Sequence, residues 1–589
     1  MAQFTFGGVS IVRPGVYSQT DVSEMVPPNA AATGLIGAVG PAKGGDPNQV
    51  YLFNSLAEAR AELKEGELLD AIELMYSPGL PGANMIYAKR VVGAGADQAD
   101  LEYDAKLEFT AKDYGDIGNS TSIFVEAGTE VGKKVSVRNF YTDVIETYDN
   151  LGPLFTVNYD GEEDYAELAI NVTDGNAVSI TGSAGNDEPN KVTVFQFDLT
   201  TESYNTVQKV ISGINAQAGF NAVQSPHCPS TSINSRWIGF PAAAATVVLD
   251  EGGEEPTAAT VVSELGTIVY TLNRDSNLVT VDRMGIAVEA PENTTNWVAL
   301  TGGSDGATPD ASAYTTAMAD FTNLETDIVY AASGEADIRS AVLSHVNSAS
   351  SVIGRKERIG VVGLSDADAD VSDYTAAAIA LNSERMILCA PGIVRTLGGV
   401  RRNLPSYYTA AVAAGILAGQ GINQPLTYRQ VGAEGLTRTL TSGDINALIQ
   451  GGVSTVEYDL RRGFRFVKGV TTWLVDDNIA KVEPSCVRIV DTISKELRTT
   501  LEDRFIGRPF VSGIEGEITA VTSMVLDRFV ARRAIVAGDT GGAYRNINVE
   551  LSNGAAIVSF EVSPAIPMNY IFVRQRVVPP YSWTTADIG

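Results

Sequence analysis

Histidine and cysteine, two side chains often used in nucleophilic, acid–base and metal chemistry, are scarce in this sequence. The 589-residue chain holds two histidines, His227 and His345, and three cysteines, Cys228, Cys389 and Cys486. The pair His227–Cys228 has no second pair at the spacing that zinc requires. His345 lies within a predicted helix, where a packing or surface role is the ordinary one. Cys389 and Cys486 have apolar neighbours, which indicates buried free thiols rather than a disulfide framework.

Two other segments partly match loops that bind phosphate or calcium. Gly128–Lys134 is one residue short of a phosphate loop and ends in Lys where Ser or Thr is needed, which favours a hairpin turn. Asp366–Asp370 begins like a calcium loop, but Val371 stands where Gly is required and Ala377 where Glu is required. These acids precede a helix predicted from Tyr374, where carboxylates cap the helix and oppose its dipole. We therefore expect no catalytic residue, no metal and no cofactor.

The predicted secondary structure of the first half of the chain changes from mixed helices and strands to mostly strands. Residues 31–92 predict a compact α/β unit, with strands and helices in the order Thr33–Val39, Ala57–Glu65, Leu68–Met75 and Met85–Val92. Residues 101–310 are acidic and predicted to be rich in strands. Alternation of apolar and polar residues is clear at Ala166–Val172, Val192–Leu199, Thr267–Leu272 and Leu278–Val281.

Residues 327–392 show a βαβαβ pattern typical of a parallel sheet covered by helices. The predicted order is Asp327–Ala332, Ala336–Ser348, Arg358–Leu364, Tyr374–Leu381 and Arg385–Ala390. The turn at Val361–Leu364 lacks the glycine fingerprint of dinucleotide binding, so only fold analogy would support that activity. Further on, Pro484 and Gly507 bracket an amphipathic helix over Ser485–Asp503, and a second helix is predicted over Ile518–Arg533.

Both ends of the chain are predicted to be extended. Pro14, Pro27 and Pro28 exclude a helix from much of residues 1–30. The last predicted strands are Asn548–Leu551, Ala556–Val562 and Asn569–Val578, the last of which alternates well enough to pair with a neighbouring strand. Terminal segments of this kind either fray or dock on a neighbour.

These patterns predict a multidomain chain of mixed α+β and α/β class. We expect an extended N-terminal arm at residues 1–30 and an N-terminal α/β framework domain at 31–100. One or more acidic β-rich domains are inserted at 101–310 and face the surface. A C-terminal α/β framework domain follows at 311–565, and a C-terminal strand and arm at 566–589.

Composition and charge narrow the class of function. Hydrophobic residues make up 44% of the chain and charged residues 19%, which is typical of globular proteins. Residues 1–354 hold 17 Lys and Arg against 47 Asp and Glu, whereas residues 355–545 hold 23 against 21. The acidic part argues against broad nucleic-acid binding. No signal peptide is visible, and the apolar run Ala410–Ala418 is too short for a bilayer, so a soluble protein made in a cytoplasm is expected.

Six segments, in order along the chain, resemble contractile tail sheath proteins of large bacteriophages of Gram-positive hosts. They are Gly44–Tyr51, Gly66–Leu74, Tyr114–Asn119, Leu300–Gly306, Pro405–Ala410 and Leu501–Arg508. The inserted β-rich region matches least.

The resemblance implies a structural subunit of the virion tail that is made in the host cytoplasm. Such subunits polymerise as stacked helical rings, expected to be hexameric, around a tail tube. They contract from a metastable extended state to drive the tube through the host envelope, without nucleotide. The implied partners are other copies of the chain, the tail tube protein, and the baseplate and tail terminator proteins, with no direct nucleic acid and no membrane insertion.

The resemblance also implies contact residues. Exchanged arms add strands to a neighbour's sheet, and the candidates here are Gly15, Val16, Tyr17, Ser18, Tyr570, Ile571, Phe572, Val573 and Arg574. The C-terminal framework domain is expected to face the tube through cations on its two long helices, with Lys495, Arg498, Arg528, Arg532 and Arg533 as candidates. The alternative for these cations is an ordinary solvated helix face.

Three other functions remain open from the sequence. A sheath of a related contractile injection system, such as a phage-tail-like bacteriocin, has the same sequence features. An α/β enzyme that binds a nucleotide or small molecule would show saturable ligand binding. A secreted surface-layer or adhesin module would be expected to carry a signal peptide.

Overall fold

The structure is a computed structural model of the chain. It describes residues 4–6, 9–11, 34–79, 81–153, 155–173, 176–224, 245–251, 259–261, 264–284, 290–509, 511–538, 541–552 and 554–577. The candidate residues Gly15, Val16, Tyr17 and Ser18, together with His227 and Cys228, lie outside these ranges.

The helices and strands fall into three groups along the chain. The first group is β1 Phe4–Phe6, β2 Val9–Ile11, β3 Ile36–Gly40, β4 Tyr51–Phe53, α1 Leu56–Leu63, α2 Glu67–Tyr76 and β5 Ile86–Arg90. The second is β6 Gln98–Tyr103, β7 Leu107–Tyr114, β8 Thr121–Ala127, β9 Lys133–Asn139, β10 Val144–Leu151, β11 Phe155–Tyr159, β12 Tyr165–Thr173, β13 Asn176–Gly185, β14 Val192–Asp198, α3 Val207–Ile214, β15 Phe220–Gln224, β16 Ala245–Asp250, β17 Ala259–Val261, α4 Glu264–Asp275, β18 Val279–Arg283 and β19 Val298–Ala299. The third is α5 Ala311–Ala319, β20 Ile328–Ala331, α6 Ala336–Ala349, β21 Ile359–Val362, α7 Val371–Leu381, β22 Met386–Ala390, β23 Ile393–Leu397, β24 Val400–Leu404, α8 Ser406–Gly419, β25 Gly435–Leu436, α9 Ser442–Gln450, β26 Val453–Asp459, β27 Gly463–Lys468, α10 Ile479–Val482, α11 Pro484–Phe505, α12 Ile514–Ala531, β28 Tyr544–Ser552 and β29 Ala555–Val562.

The first and third groups build one eight-stranded sheet, in the order β27-β26-β22-β21-β20-β3-β5-β4. Its six inner strands are parallel, and the edge strands β27 and β4 are antiparallel to their neighbours. The inner strands are short apolar runs buried along nearly their whole length, as expected when both faces of a sheet are covered. One face packs against α1, α2 and α8, and the other against α5, α6 and α7. The mixed α/β multidomain class is thereby confirmed.

The second group forms two units with separate cores, one nested within the other. The nearer unit contains the sheets β18-β7-β6 and β10-β9-β8-β19 with α4. The farther unit contains β14-β13-β12-β16 and β15-β11-β17 with α3. Its first and last strands pair antiparallel, with Phe155 opposite Val261. Both ends of the farther unit therefore leave the nearer unit at the same place.

The helices α11 and α12 pack against each other and against the hairpin β28–β29 in a further core. The predicted helix Ser485–Asp503 is confirmed and begins at Pro484, whose missing N–H costs nothing in a first turn. The second predicted helix, Ile518–Arg533, corresponds to α12, which begins earlier, at Ile514, and ends at Ala531.

Two predicted strands are wrong. Thr267–Leu272 lies within α4, because Leu265, Ile268 and Leu272 recur at helical spacing and are buried on one face. The β-branched residues between them imitate a strand pattern. Asn569–Val578 forms no strand over its described residues, 569–577. A strand requires a hydrogen-bonded neighbour, and none of the described strands pairs with this segment.

Candidate assembly surfaces

Residues 566–577 leave the body of the protein as an apolar segment without secondary structure. Tyr570, Ile571, Phe572 and Val573 are 65%, 77%, 89% and 84% exposed, and Arg574 is exposed as well. The rings of Tyr570 and Phe572 stack with centroids 6.3 Å apart, as alternate side chains on one side of an extended chain can do. Four consecutive large apolar side chains in solvent mark a surface that another molecule covers.

The base of this segment is fixed to the C-terminal core. Three main-chain hydrogen bonds, of 3.0, 2.9 and 2.8 Å, hold it: Val536 N to Ser563 O, Ser563 N to Ala543 O, and Ala565 N to Ala534 O. Glu483 lies close to Asn569 and is 2% exposed. Burial raises the pKa of the Glu483 carboxyl to about 7, although hydrogen bonds from Ser485 and Asn569 oppose the shift. The segment therefore has an anchored root and an exposed, apolar end, of which Tyr570 still accepts from Lys468 Nζ at 3.5 Å.

The hairpin β28–β29 offers open strand edges next to that root. The two strands pair only with each other among the described strands, so each keeps one unpaired edge. Tyr544, Phe560 and Val562 face the core of α11 and α12, while Ile557 is 60% exposed. Unpaired edges of this kind are places where a strand from another chain can add.

The N-terminal strands also form a two-stranded hairpin, with Phe4 opposite Ile11 and Phe6 opposite Val9. An isolated hairpin of this size is marginally stable in water. The interpretation of residues 1–30 as a docking arm stays a prediction.

The five cations chosen as tube-facing candidates have different surroundings. Lys495 is buried and lies 2.6 Å from Asp327 Oδ1. Arg498 forms a bidentate pair with Glu357. Arg532 lies 2.7 Å from Glu496. Arg528 and Arg533 form no ion pair with another described residue. Of the five, only Arg528 and Arg533 carry a charge that no carboxylate of the described residues pairs with.

Arg90, which the sequence analysis did not single out, joins the framework to the inserted units. Its guanidinium is fully buried and donates hydrogen bonds to Gly45 O at 3.0 Å, Tyr114 O at 2.9 Å and Asp305 Oδ1 at 2.8 Å. Burial lowers the pKa of Arg90, and Asp305 opposes that shift. Arg90 thus connects the loop after β3, the end of β7 in the nearer unit and the segment after β19 that returns to the framework.

The two motif segments at this junction contact each other directly. Asn119 Nδ2 donates to Gly303 O at 2.8 Å, and Gly303 N donates to Asn119 Oδ1 at 2.9 Å. The Cβ that any other residue would add at Gly303 would lie 2.5 Å from Gly115 O. This close approach explains why Tyr114–Asn119 and Leu300–Gly306 carry glycines. The sequence signal that could have identified Arg90 is its position as a charged residue at the end of the apolar strand β5.

A groove of about 1120 Å³ lies at the carboxyl ends of β3 and β5, where open α/β sheets commonly bind ligands. Most of its charged side chains pair with one another. Besides Arg90 with Asp305, the pairs are Lys43 with Glu65, Arg60 with Glu73, and Arg402 with Asp70, at 3.0, 2.8 and 2.7 Å. These pairs connect α1, α2 and the β23–β24 hairpin. Their charges serve contacts within the chain.

The remaining sequence candidates have structural surroundings. His345 Nε2 lies 3.0 Å from Arg358 Nη1, and burial together with that cation lowers the pKa of His345 to about 4. Asp370 and Asp373 form a capping box at the start of α7, as predicted. Gly128–Lys134 includes the turn between β8 and β9, where Ala127 pairs with Lys133. Cys389 and Cys486 are buried free thiols, also as predicted.

Within the part of the chain that the structure describes, no three His, Cys, Asp or Glu side chains group closely enough to hold a metal ion. No helix there is long and apolar enough to cross a membrane.

Comparison with known proteins supplies the family. Residues 307–472 match the model of the phage tail sheath protein central domain. The tail sheath protein of Bacillus phage SP01 is 30% identical, over 99% of this chain and 98% of its own length. The tail sheath protein of Staphylococcus phage Twort is 25% identical, over 90% of this chain and 91% of its own length. Among solved structures, the sheath tail protein of Desulfitobacterium hafniense superimposes with a TM-score of 0.55 at 15% identity, covering 96% of this chain and 100% of that one.

Proposed function

This chain belongs to the tail sheath proteins of contractile bacteriophage tails, and on that premise we propose that extended terminal segments link neighbouring subunits into the sheath. The apolar end of residues 566–577 inserts as a strand against a hairpin edge of another copy. The observation that carries this proposal is the exposure of Tyr570, Ile571, Phe572 and Val573 on a segment whose root is fixed. Strand addition would supply the hydrogen-bonded neighbour that the isolated segment needs.

The unpaired edges of β28–β29 are the acceptor that the described residues favour. They lie in the same core as the segment's root, so a repeated head-to-tail exchange would connect each subunit to the next. The N-terminal arm, with Gly15, Val16, Tyr17 and Ser18, would contribute a second strand to the same exchange.

In this proposal the subunits assemble in the host cytoplasm as stacked rings, expected to be hexameric, around the tail tube. They also contact the baseplate and tail terminator proteins. Contraction proceeds from a metastable extended lattice to one with more or better contacts, so it requires no nucleotide and the protein is not an enzyme. The pairing of the groove's charges with one another agrees with that role.

For the tube contact we favour Arg528 and Arg533 among the five cations. Lys495, Arg498 and Arg532 already neutralise carboxylates of the same chain. Charges left free on one surface steer association and weaken with salt.

The linking role is tested by placing charge on the segment. The full chain and the double variant Ile571→Asp, Val573→Asp are concentrated with and without tube protein and viewed by negative-stain electron microscopy. We expect hollow striated cylinders from the unmodified chain only, because two carboxylates cannot enter an apolar strand interface.

A matched control carries Val192→Asp and Val194→Asp on the exposed strand β14 of the insertion. It should assemble like the unmodified chain. Cylinders from the Ile571, Val573 variant would contradict the linking role while leaving the sheath function intact. No cylinders from the unmodified chain, even with tube protein, would contradict self-assembly.

A further inference from the structure

The C-terminal segment, residues 566–577, touches the body of the protein at few points beyond its root. Among the described residues, no hydrogen bond joins its main chain to the body. Two of its side chains make polar contacts there. Asn569 hydrogen-bonds the Glu483 carboxyl, and Tyr570 lies near Lys468, whose Nζ is 3.5 Å from the Tyr570 hydroxyl and 5.7 Å from the centre of its ring. The pair of Glu483 and Asn569 is therefore the first attachment of the segment after its root.

This pair lacks one hydrogen-bond donor. Glu483 is 2% exposed, and its Oε1 accepts from Ser485 Oγ at 3.3 Å. Asn569 Oδ1 is buried too, and no described residue donates a hydrogen bond to it. An ionised carboxylate can only accept hydrogen bonds, whereas a protonated carboxyl can also donate one. A buried acceptor without a donor is unfavourable, and the proton of Glu483 would supply the donor that Asn569 needs.

The groups around Glu483 include one cation that opposes protonation. Lys468 of β27 favours the ionised carboxyl. On α10, Lys481 Nζ lies instead over the ring of Trp473, at 3.9 Å. On α11, burial raises the pKa of the Cys486 thiol to about 11. Burial also raises the pKa of the Glu483 carboxyl to about 7 in spite of Lys468, so the carboxyl exchanges its proton near neutral pH.

We propose that the proton of Glu483 holds the base of the C-terminal segment on the body, and that its loss to solvent releases residues 566–577. The protonated carboxyl donates to Asn569 Oδ1 and accepts from Asn569 Nδ2. After ionisation the carboxylate and Oδ1 face each other as two acceptors, and the buried charge gains water when the segment moves away. The consequence for assembly rests on the linking role proposed above, because a released segment has the greater reach toward another copy.

The test measures the mobility of the segment next to Asn569. A nitroxide label is attached at Met568→Cys, a position that is 80% exposed. The full chain also carries Cys228→Ser, so that the buried thiols of Cys389 and Cys486 are the other cysteines. Electron paramagnetic resonance spectra are recorded between pH 5 and pH 9, below the concentration at which the chain assembles.

We expect the mobile fraction of the label to rise from about one-tenth at pH 6 to about nine-tenths at pH 8, following the protonation of Glu483. Glu483→Gln should keep the label immobile at both pH values, because its amide donates to Asn569 at any pH. Asn569→Ala should leave the label mobile at both. A label at Ile557→Cys on β29 reports changes of the whole protein and should show no transition.

Two results would overturn the proposal. The first is a label at position 568 with the same mobility at pH 6 and pH 8. The second is a transition that Glu483→Gln retains, with that variant folded by circular dichroism, since another group would then be responsible. Because the spectra come from unassembled chains, either result leaves the linking role untouched. That role fails separately, if the variant Ile571→Asp, Val573→Asp still forms cylinders.

Discussion

Arg90 shows how much of the architecture depends on one side chain. Three parts of the chain that are far apart in sequence accept hydrogen bonds from its guanidinium, and two of the three acceptors are main-chain carbonyls. Because the side chain is fully buried, its removal would expose those carbonyls to one another rather than to water.

We expect Arg90→Ala to lower the free energy of unfolding by about 3 kcal/mol or more, because two main-chain carbonyls lose their donor and a fully buried side chain leaves a cavity. Residues 91–97 and 304–310 should also become sensitive to protease, because they lose their common anchor. Urea unfolding and limited proteolysis measure the two effects. Arg60→Ala removes an arginine that is half exposed and paired with Glu73, and it should cost at most about 1 kcal/mol. Equal effects of the two variants would contradict a special role for Arg90.

Glu483 makes stability depend on pH. Its pKa is about 7 in the folded chain, above the ordinary value of 4.5, so the folded state binds the proton more tightly than the unfolded state does. The contribution of Glu483 to stability is therefore fully present below pH 4.5 and is lost as the pH rises through 7. A shift of this size corresponds to about 3 kcal/mol at pH 8.

We expect Glu483→Gln to stabilise the chain at pH 8 and to change little at pH 5, because the amide imitates the protonated carboxyl. Thermal unfolding at both pH values measures the difference. Glu515→Gln, at an exposed position in the first turn of α12, serves as the control and should show no such dependence. A variant effect that is the same at pH 5 and pH 8 would contradict the raised pKa.

At the scale of elements, the helix α8 crosses α2 at very short distance. A Cβ at Gly415 would lie 2.4 Å from Met75 O and 2.7 Å from Met75 Cα, both main-chain atoms that cannot turn aside. Twelve of the fourteen residues of α8 are buried. The Ala/Gly-rich run Ala410–Ala418, which is too short to cross a bilayer, is therefore the close-packed centre of the framework.

We expect Gly415→Ala to destabilise the chain by about 1–3 kcal/mol through overpacking, although Ala favours helix by roughly 1 kcal/mol over Gly. Gly516→Ala in α12 gives the matched comparison, since a Cβ there meets nothing within 4 Å. It should stabilise the chain by up to about 1 kcal/mol. Chemical unfolding gives the free energy of unfolding of both variants. A Gly415→Ala variant that is more stable than the unmodified chain would show that α2 and α8 can move apart at little cost.

Local sequence signals predicted most elements but not their partners. Ser55 caps α1 and accepts from Glu58 N, and Pro484 opens α11, so both helices could be recognised from a few neighbouring residues. The strand order could not, since the pairing of β3 with β20 depends on residues far apart in the chain. Arg90 was missed for the same reason, because its importance comes from the surroundings that distant segments create.

At the scale of the whole molecule, the farther inserted unit is separable. Its core shares no buried residue with the cores of the nearer unit and the framework, and from the nearer unit Tyr270 of α4 packs against it. Because Phe155 lies opposite Val261 in an antiparallel pair, their Cα atoms are about 5 Å apart. A short linker can therefore replace the unit without straining the remainder.

We expect deletion of residues 154–262, closed by four residues of Gly and Ser, to leave the framework folded and able to assemble. The thermal unfolding of the shortened chain and its cylinders in negative stain are the measurements. A deletion that ends instead within the nearer unit, such as 122–262, divides a shared core and should aggregate. If the shorter chain from the first deletion also aggregates, the farther unit supports the framework directly.

The interleaved central sheet also has a consequence for synthesis on the ribosome. The strand β3 can pair with β20 only after 292 further residues have been synthesised, because Ile36 pairs with Ile328. At ~5–20 residues per second this takes roughly 15–60 s, during which one edge of an apolar strand stays unpaired. The two inserted units, each with its own core, can fold within that interval. The half-built framework is thus the stage at which the nascent chain most needs protection from aggregation.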